Sequence, residues 1–151
     1  MRLGCLIVFA LMAAAPLLAA ETKPIAYNAR SGPATDLDRL VHENLGMQYT
    51  IVDVDRERTK WVGPRGVSGF GPTAPVYRDD KCVPGTSLVI YVISADGRPM
   101  DTFPARTTDS FLDAIAVHLM SERRFVAAQM DGHAVACVAA TRFNFRCPAE
   151  K

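Results

Sequence analysis

The sequence has little of what most catalytic and ligand-binding chemistries need. Its 17 basic and 16 acidic residues leave a formal charge of +1, and no run of five like charges occurs anywhere. That excludes the electrostatic footprint of a nucleic-acid or anionic-membrane binder. None of the four cysteines stands at the Cys-x-x-Cys spacing of a metal or redox site. The three histidines, His42, His118 and His133, are far apart, and none belongs to a His-Glu-x-x-His pair. "GPRGVSGFG" sets a serine among glycines without forming G-x-S-x-G. The acidic stretches "DVDRE" and "RDD" match no calcium loop. No internal repeat or low-complexity tract is present. These absences argue against an enzyme and against any cofactor or metal.

What remains is 151 residues, about half of them apolar, enough for one ordinary globular domain. Residues 1–20, "MRLGCLIVFALMAAAPLLAA", differ in kind: one early positive charge, an unbroken apolar stretch and a small-residue ending. They read as a secretory signal peptide, which makes the mature chain periplasmic or secreted. The alternative is an uncleaved inner-membrane anchor, since roughly 18 apolar residues just span a bilayer. Cys5 precedes the apolar core, which does not suit a lipoprotein anchor. In either case the remaining cysteines, Cys82, Cys137 and Cys147, face an oxidising compartment, where disulfide pairing is the natural reading.

Residues 21–80 read as a helix–strand extension followed by a loop. "ATDLDRLVHENLG" is a short helix, with Thr35 and Asp38 at capping-box spacing and Gly46 as its stop. "MQYTIVDVD" follows as a strand, and the Gly- and Pro-rich run up to residue 75 reads as loop. In residues 81–151 a hairpin spans 87–106. Its first strand is apolar on both faces, and Asp96-Gly97 suits a type I′ turn. The second strand carries Pro99 and Pro104, which cannot donate to a ladder, so it must lie at a sheet edge. "SFLDAIAVHLMSERRF" is a helix with a second capping box, Ser110 and Asp113, and one apolar stripe. "HAVACVAATRFNFR" is a long final strand, placed on the vacant side of the first hairpin strand. The predicted fold is α+β, with sheet order second, first, last and a helix across one face.

Antiparallel neighbours bring the start of the first hairpin strand beside the end of the last. That order predicts a Cys82–Cys147 disulfide, worth on the order of 4 kcal/mol in the chain-entropy model. Cys82–Cys137 stays open as an alternative. Cys137–Cys147 would require the last strand to fold back, because ten extended residues cover roughly 33 Å. Cys137 alternates with the aromatic face and reads as a buried free thiol.

"GTSLVIYVISADGRPMD", "SFLDAIAVHLMSERRF" and "DGHAVACVAATRFNFR" together resemble the C-terminal domain of the TonB family of energy transducers, over residues 85–146. The family's Trp-x-Phe-x-Pro segment reads Arg123-Arg124-Phe125-Val126-Ala127 here, and a folded section stands where a proline-rich spacer would run. A stand-alone relative is therefore expected. The resemblance implies a periplasmic protein-binding module whose open last strand pairs with an extended segment of a protein partner, such as an outer-membrane receptor in energy-coupled transport. The candidate protein-binding residues are then Val138, Ala140, Arg142, Asn144 and Arg146, on the strand's non-aromatic alternation. Edge pairing of two copies into a homodimer is open to the same strand.

Two competing readings follow from the residues alone. A small secreted or periplasmic enzyme would need a site in the 53–81 loop, from Asp53, Asp55, Asp79 or Asp80. A self-contained structural or regulatory domain would cover the last strand with its own residues 47–54.

Overall fold

A computed structural model describes residues 22–28, 36–55, 59–68, 74–107 and 109–149 of the chain. Residues 1–20, read from sequence as a signal peptide, and Thr35 of the first capping box lie outside them. The protein is α+β. Its elements in chain order are β1 (Lys23–Tyr27), α1 (Asp36–Leu45), β2 (Tyr49–Asp53), β3 (Trp61–Val62), β4 (Arg65–Ser68), β5 (Tyr77–Arg78), β6 (Lys81–Cys82), β7 (Gly85–Ile93), β8 (Pro99–Thr107), α2 (Ser110–Ser121), β9 (Arg124–Val126), β10 (Ala128–Met130), β11 (His133–Val135) and β12 (Cys137–Phe145).

The main sheet has the order β2-β1-β12-β7-β8. The hairpin and the last strand occupy the order expected of them, and proline-bearing β8 is an edge. Two irregularities bend β8 against β7, one of them at Asp101, whose φ of 42° lies in the left-handed region. β7 and β12 pair without interruption from Cys137↔Ile93 to Phe145↔Gly85. Their far ends are joined by a disulfide between Cys82 and Cys147, and Cys137 is a buried free thiol. Burial pushes that thiol's pKa up to about 11, which makes it a poor nucleophile.

Strand alternation divides the core between two helices. Val89, Tyr91 and Ile93 of β7 join Cys137, Phe143 and Phe145 of β12 against Leu112, Ala116 and Met120 of α2. Ile90 and Val92 point the other way, to Val41 and Leu45 of α1 and to Ile25 and Tyr27 of β1. The sheet thus carries a helix on each face. Ser87 and Asp113, both buried, satisfy each other: the Ser87 hydroxyl donates to Asp113 at 2.6 Å.

Several local expectations need correction. The cap of α2 is Asp109, whose carboxylate accepts the Phe111 N–H at 2.8 Å, and not Ser110; Asp113 is spent on Ser87. The long last strand is two strands, broken at Ala136. β11 forms a separate hairpin with β10 through the Asp131-Gly132 turn, and β3 pairs with the other side of β10. The region read as loop also contributes β4, which pairs with β9. β5 and β6 form a small hairpin whose turn residues, Asp79 and Asp80, both adopt positive φ. Arg78 of that hairpin donates to Asp109 at 2.6 Å and lies over the Phe111 ring.

Although β2 and β8 lie at opposite ends of the strand order, Tyr49 of β2 donates its hydroxyl to Asp101 of β8. The sheet therefore curls about its α1 face, and the bulge at Asp101 supplies the acceptor. Desolvation first, then the Asp101 bond and its charge, push the Tyr49 pKa up to about 12. A raised tyrosine pKa stabilises the fold fully below the ordinary value of 10, and that contribution disappears as pH rises through 12. Urea midpoints of the protein and of Tyr49→Phe should therefore converge between pH 9 and pH 12. Parallel midpoints across that range would remove the clasp from the account.

Candidate functional site

The two edges of β12 are treated very differently. One is fully paired with β7. On the other, β1 runs parallel and meets it at a single bridge, Ala26↔Cys137, where the Ala26 N–H donates to the Ala136 carbonyl at 2.8 Å. Sequence limits β1 ahead of that bridge. Pro24, two residues earlier, falls on the same alternation as Ala26 and has no N–H to offer β12. After Tyr27 the described part of β1 ends. Strand β2, the cover of the last strand in the competing self-contained reading, instead pairs with β1 along its whole length, from Lys23↔Tyr49 to Tyr27↔Asp53. β1, which the sequence reading missed, stands between them.

The bridge also engages the Val138 N–H; beyond it, no described strand pairs with the outer edge of β12. Backbone groups alternate along a strand, and the Ala136 carbonyl points outward. The N–H and C=O groups of Val138, Ala140 and Arg142 therefore point outward too, while those of Ala139 and Thr141 serve the β7 ladder. The five residues proposed from sequence accordingly lie on one alternation beside one edge. Their side chains face the α1 side. Val138 is half-buried there and packs into the α1 core, whereas Ala140, Arg142, Asn144 and Arg146 are exposed.

The sequence reading also missed what stands beside this edge. Where β1 ends, a cavity of about 200 Å³ opens between α1 and β12. It is lined by Tyr27 and Asn28, by Leu37, Asp38 and Val41 of α1, and by residues 138–140 of β12. Tyr27 donates its hydroxyl to Asp38, tying β1 to α1 at the cavity rim. Desolvation and the Asp38 carboxylate raise the Tyr27 pKa, which keeps this hydroxyl a donor. The signal that could have revealed β1 is the alternation of Ile25 and Tyr27 in "KPIAY", with both side chains buried under α1.

The four carboxylates of the enzyme reading do not line this cavity, nor a second one bounded by Asn28, Thr59, Trp61 and Gly63. Asp53 ends β2, Asp55 follows it, and Asp79 and Asp80 form the tip of the β5–β6 hairpin. Among the described residues no group of three or more His, Cys, Asp or Glu side chains could hold a metal ion. No described helix is long and apolar enough to cross a membrane.

No known protein family and no curated protein matches the sequence. Among solved structures, the chain is similar to the TonB C-terminal domain of Pseudomonas aeruginosa, determined by solution NMR. The identity is 22% and the TM-score 0.44, over 58% of this chain and 90% of that one.

Proposed function

We propose that this protein is an exported protein-binding module that recruits an extended segment of a partner onto the outer edge of β12. The observation that carries this reading is the edge beyond the Ala26↔Cys137 bridge, with which no described strand pairs and whose backbone groups are already laid out as a ladder. Backbone hydrogen bonds would supply affinity, and the alternate side chains from Val138 to Arg146 would supply choice. The resemblance of residues 85–146 to TonB C-terminal domains makes an outer-membrane receptor the partner class of first interest, with the chain in the periplasm.

A photoreactive side chain at Asn144, introduced in the native cell envelope, tests the reading. Crosslinking to a membrane receptor is expected. Ala140→Pro removes an N–H that faces outward and leaves the β7 ladder intact. It should abolish the crosslink while changing stability by only about 1 kcal/mol or less. Thr141→Pro, which breaks the β7 ladder, should instead destabilise the fold. Crosslinks confined to this chain's own N-terminal section, or unaffected by Ala140→Pro, would refute strand addition here.

A further inference from the structure

We infer that the partner segment is acidic, with two carboxylates four positions apart on one face and an aliphatic residue two positions outside them. This rests on the strand-addition reading and specifies its partner. Along the outer edge, the α1-side positions run Val138, Ala140, Arg142, Asn144, Arg146. Among the described residues neither Arg142 nor Arg146 makes an ion pair or a side-chain hydrogen bond, and both are exposed. They stand about 13 Å apart at strand spacing. Arg146 lies one residue past β12 but directly before Cys147, whose bond to Cys82 pins the chain there.

An added strand places alternate side chains on the same face as these arginines. Opposite charges across a strand pair are favourable and like charges are not. Residues opposite Arg142 and Arg146 are therefore selected for carboxylates. At the other end, small Ala140 and half-buried Val138 floor the cavity beside α1. The cavity has a polar rim at Tyr27, Asn28 and Asp38 and an apolar wall of Leu37, Val41 and Val138, and its volume of about 200 Å³ accommodates one branched aliphatic side chain laid on that wall.

The same charges disfavour a second copy in two of the registers it could take. A two-fold antiparallel pairing of β12 edges centred on Asn144 sets Arg142 of each copy against Arg146 of the other. Centring it on Arg142 sets that residue against its own copy. Both registers oppose like charges with no acidic residue on the alternation to relieve them.

The test uses the labelled protein and three synthetic peptides followed by amide NMR. The probes are SLSESTSES, its reversed form SESTSESLS, and the lysine counterpart SLSKSTSKS. One of the two glutamate peptides should perturb residues 138–146 and bind roughly tenfold more tightly than the lysine peptide at low salt. The gap should shrink as salt rises. The double variant Arg142→Glu, Arg146→Glu should invert the preference. Equal binding of glutamate and lysine peptides at the β12 edge would overturn the acidic inference and leave strand addition standing. No perturbation of that edge by any peptide, or a dimer already paired through it, would overturn both.

Discussion

Gly97→Ala is expected to destabilise the fold by about 3–5 kcal/mol, among the largest effects of any single methyl addition. Gly97 closes the β7–β8 hairpin with a φ of +81°. A Cβ there would sit 2.0 Å from the Phe125 carbonyl oxygen, a backbone atom that cannot swing aside. The same approach lets the Gly97 carbonyl accept the Phe125 N–H at 3.0 Å, so the clash also breaks a tertiary hydrogen bond. Gly132 provides the control. Its φ is +84°, yet nothing lies within 4 Å of its added Cβ. Gly132→Ala should therefore cost only the left-handed conformation, about 1 kcal/mol. Chemical denaturation of the two variants separates the terms. Equal losses would mean that turn conformation alone, and not docking on β9, makes Gly97 necessary.

Replacing Cys82 and Cys147 together by serine is expected to cost about 4 kcal/mol, because the bond closes a loop with a sequence separation of 65. The melting temperature should fall by roughly 10–20 °C for a domain of this size. The bond also holds the end of β12 beside the start of β7, where the Phe145↔Gly85 pair closes the ladder. Loss of the bond should thus fray the Arg146 end of the proposed binding edge before the centre of the sheet opens. Thermal unfolding with and without reductant checks the magnitude. Cys137 should stay unmodified by alkylating reagents in either folded form, since it is 1% exposed and its thiolate is disfavoured by burial.

The hairpin, the α2 stripe and the sheet order were legible because each rests on local chemistry. Asp96-Gly97 specifies its turn, Pro99 and Pro104 specify an edge, and Leu112, Ala116 and Met120 repeat at helical spacing. What the sequence concealed depends on partners distant along the chain. β1 is five residues long and contains Pro24, which argues against any strand flanked on both sides; it is tolerated because β12 meets β1 only past that proline. β4 pairs with β9, and β3 with β10, across more than fifty residues, so their Gly-rich sequence reads as loop. The break at Ala136 is likewise invisible in an alternation that runs on through it. It marks the point where the chain leaves β10 and joins β7 and β1.

The candidate edge shows the same division. The alternation of Val138, Ala140, Arg142, Asn144 and Arg146 is visible in the sequence. The cavity beside it is not, since its walls come from Tyr27, Asn28 and α1, brought there by β1. The extent of cover on β12 is a tertiary outcome: one bridge to β1, with β2 held one strand further out.

Amide hydrogen exchange along β12 in the unliganded protein tests that outcome most directly. The Ala139, Thr141 and Phe143 N–H groups, paired with β7, should exchange slowly, close to the rate set by global unfolding. Those of Ala140 and Arg142, pointing to the open edge, should exchange orders of magnitude faster. A two-residue alternation of fast and slow amides is the predicted result. Uniform protection from Val138 to Phe145 would mean that another part of this chain already occupies the edge, and would contradict the account.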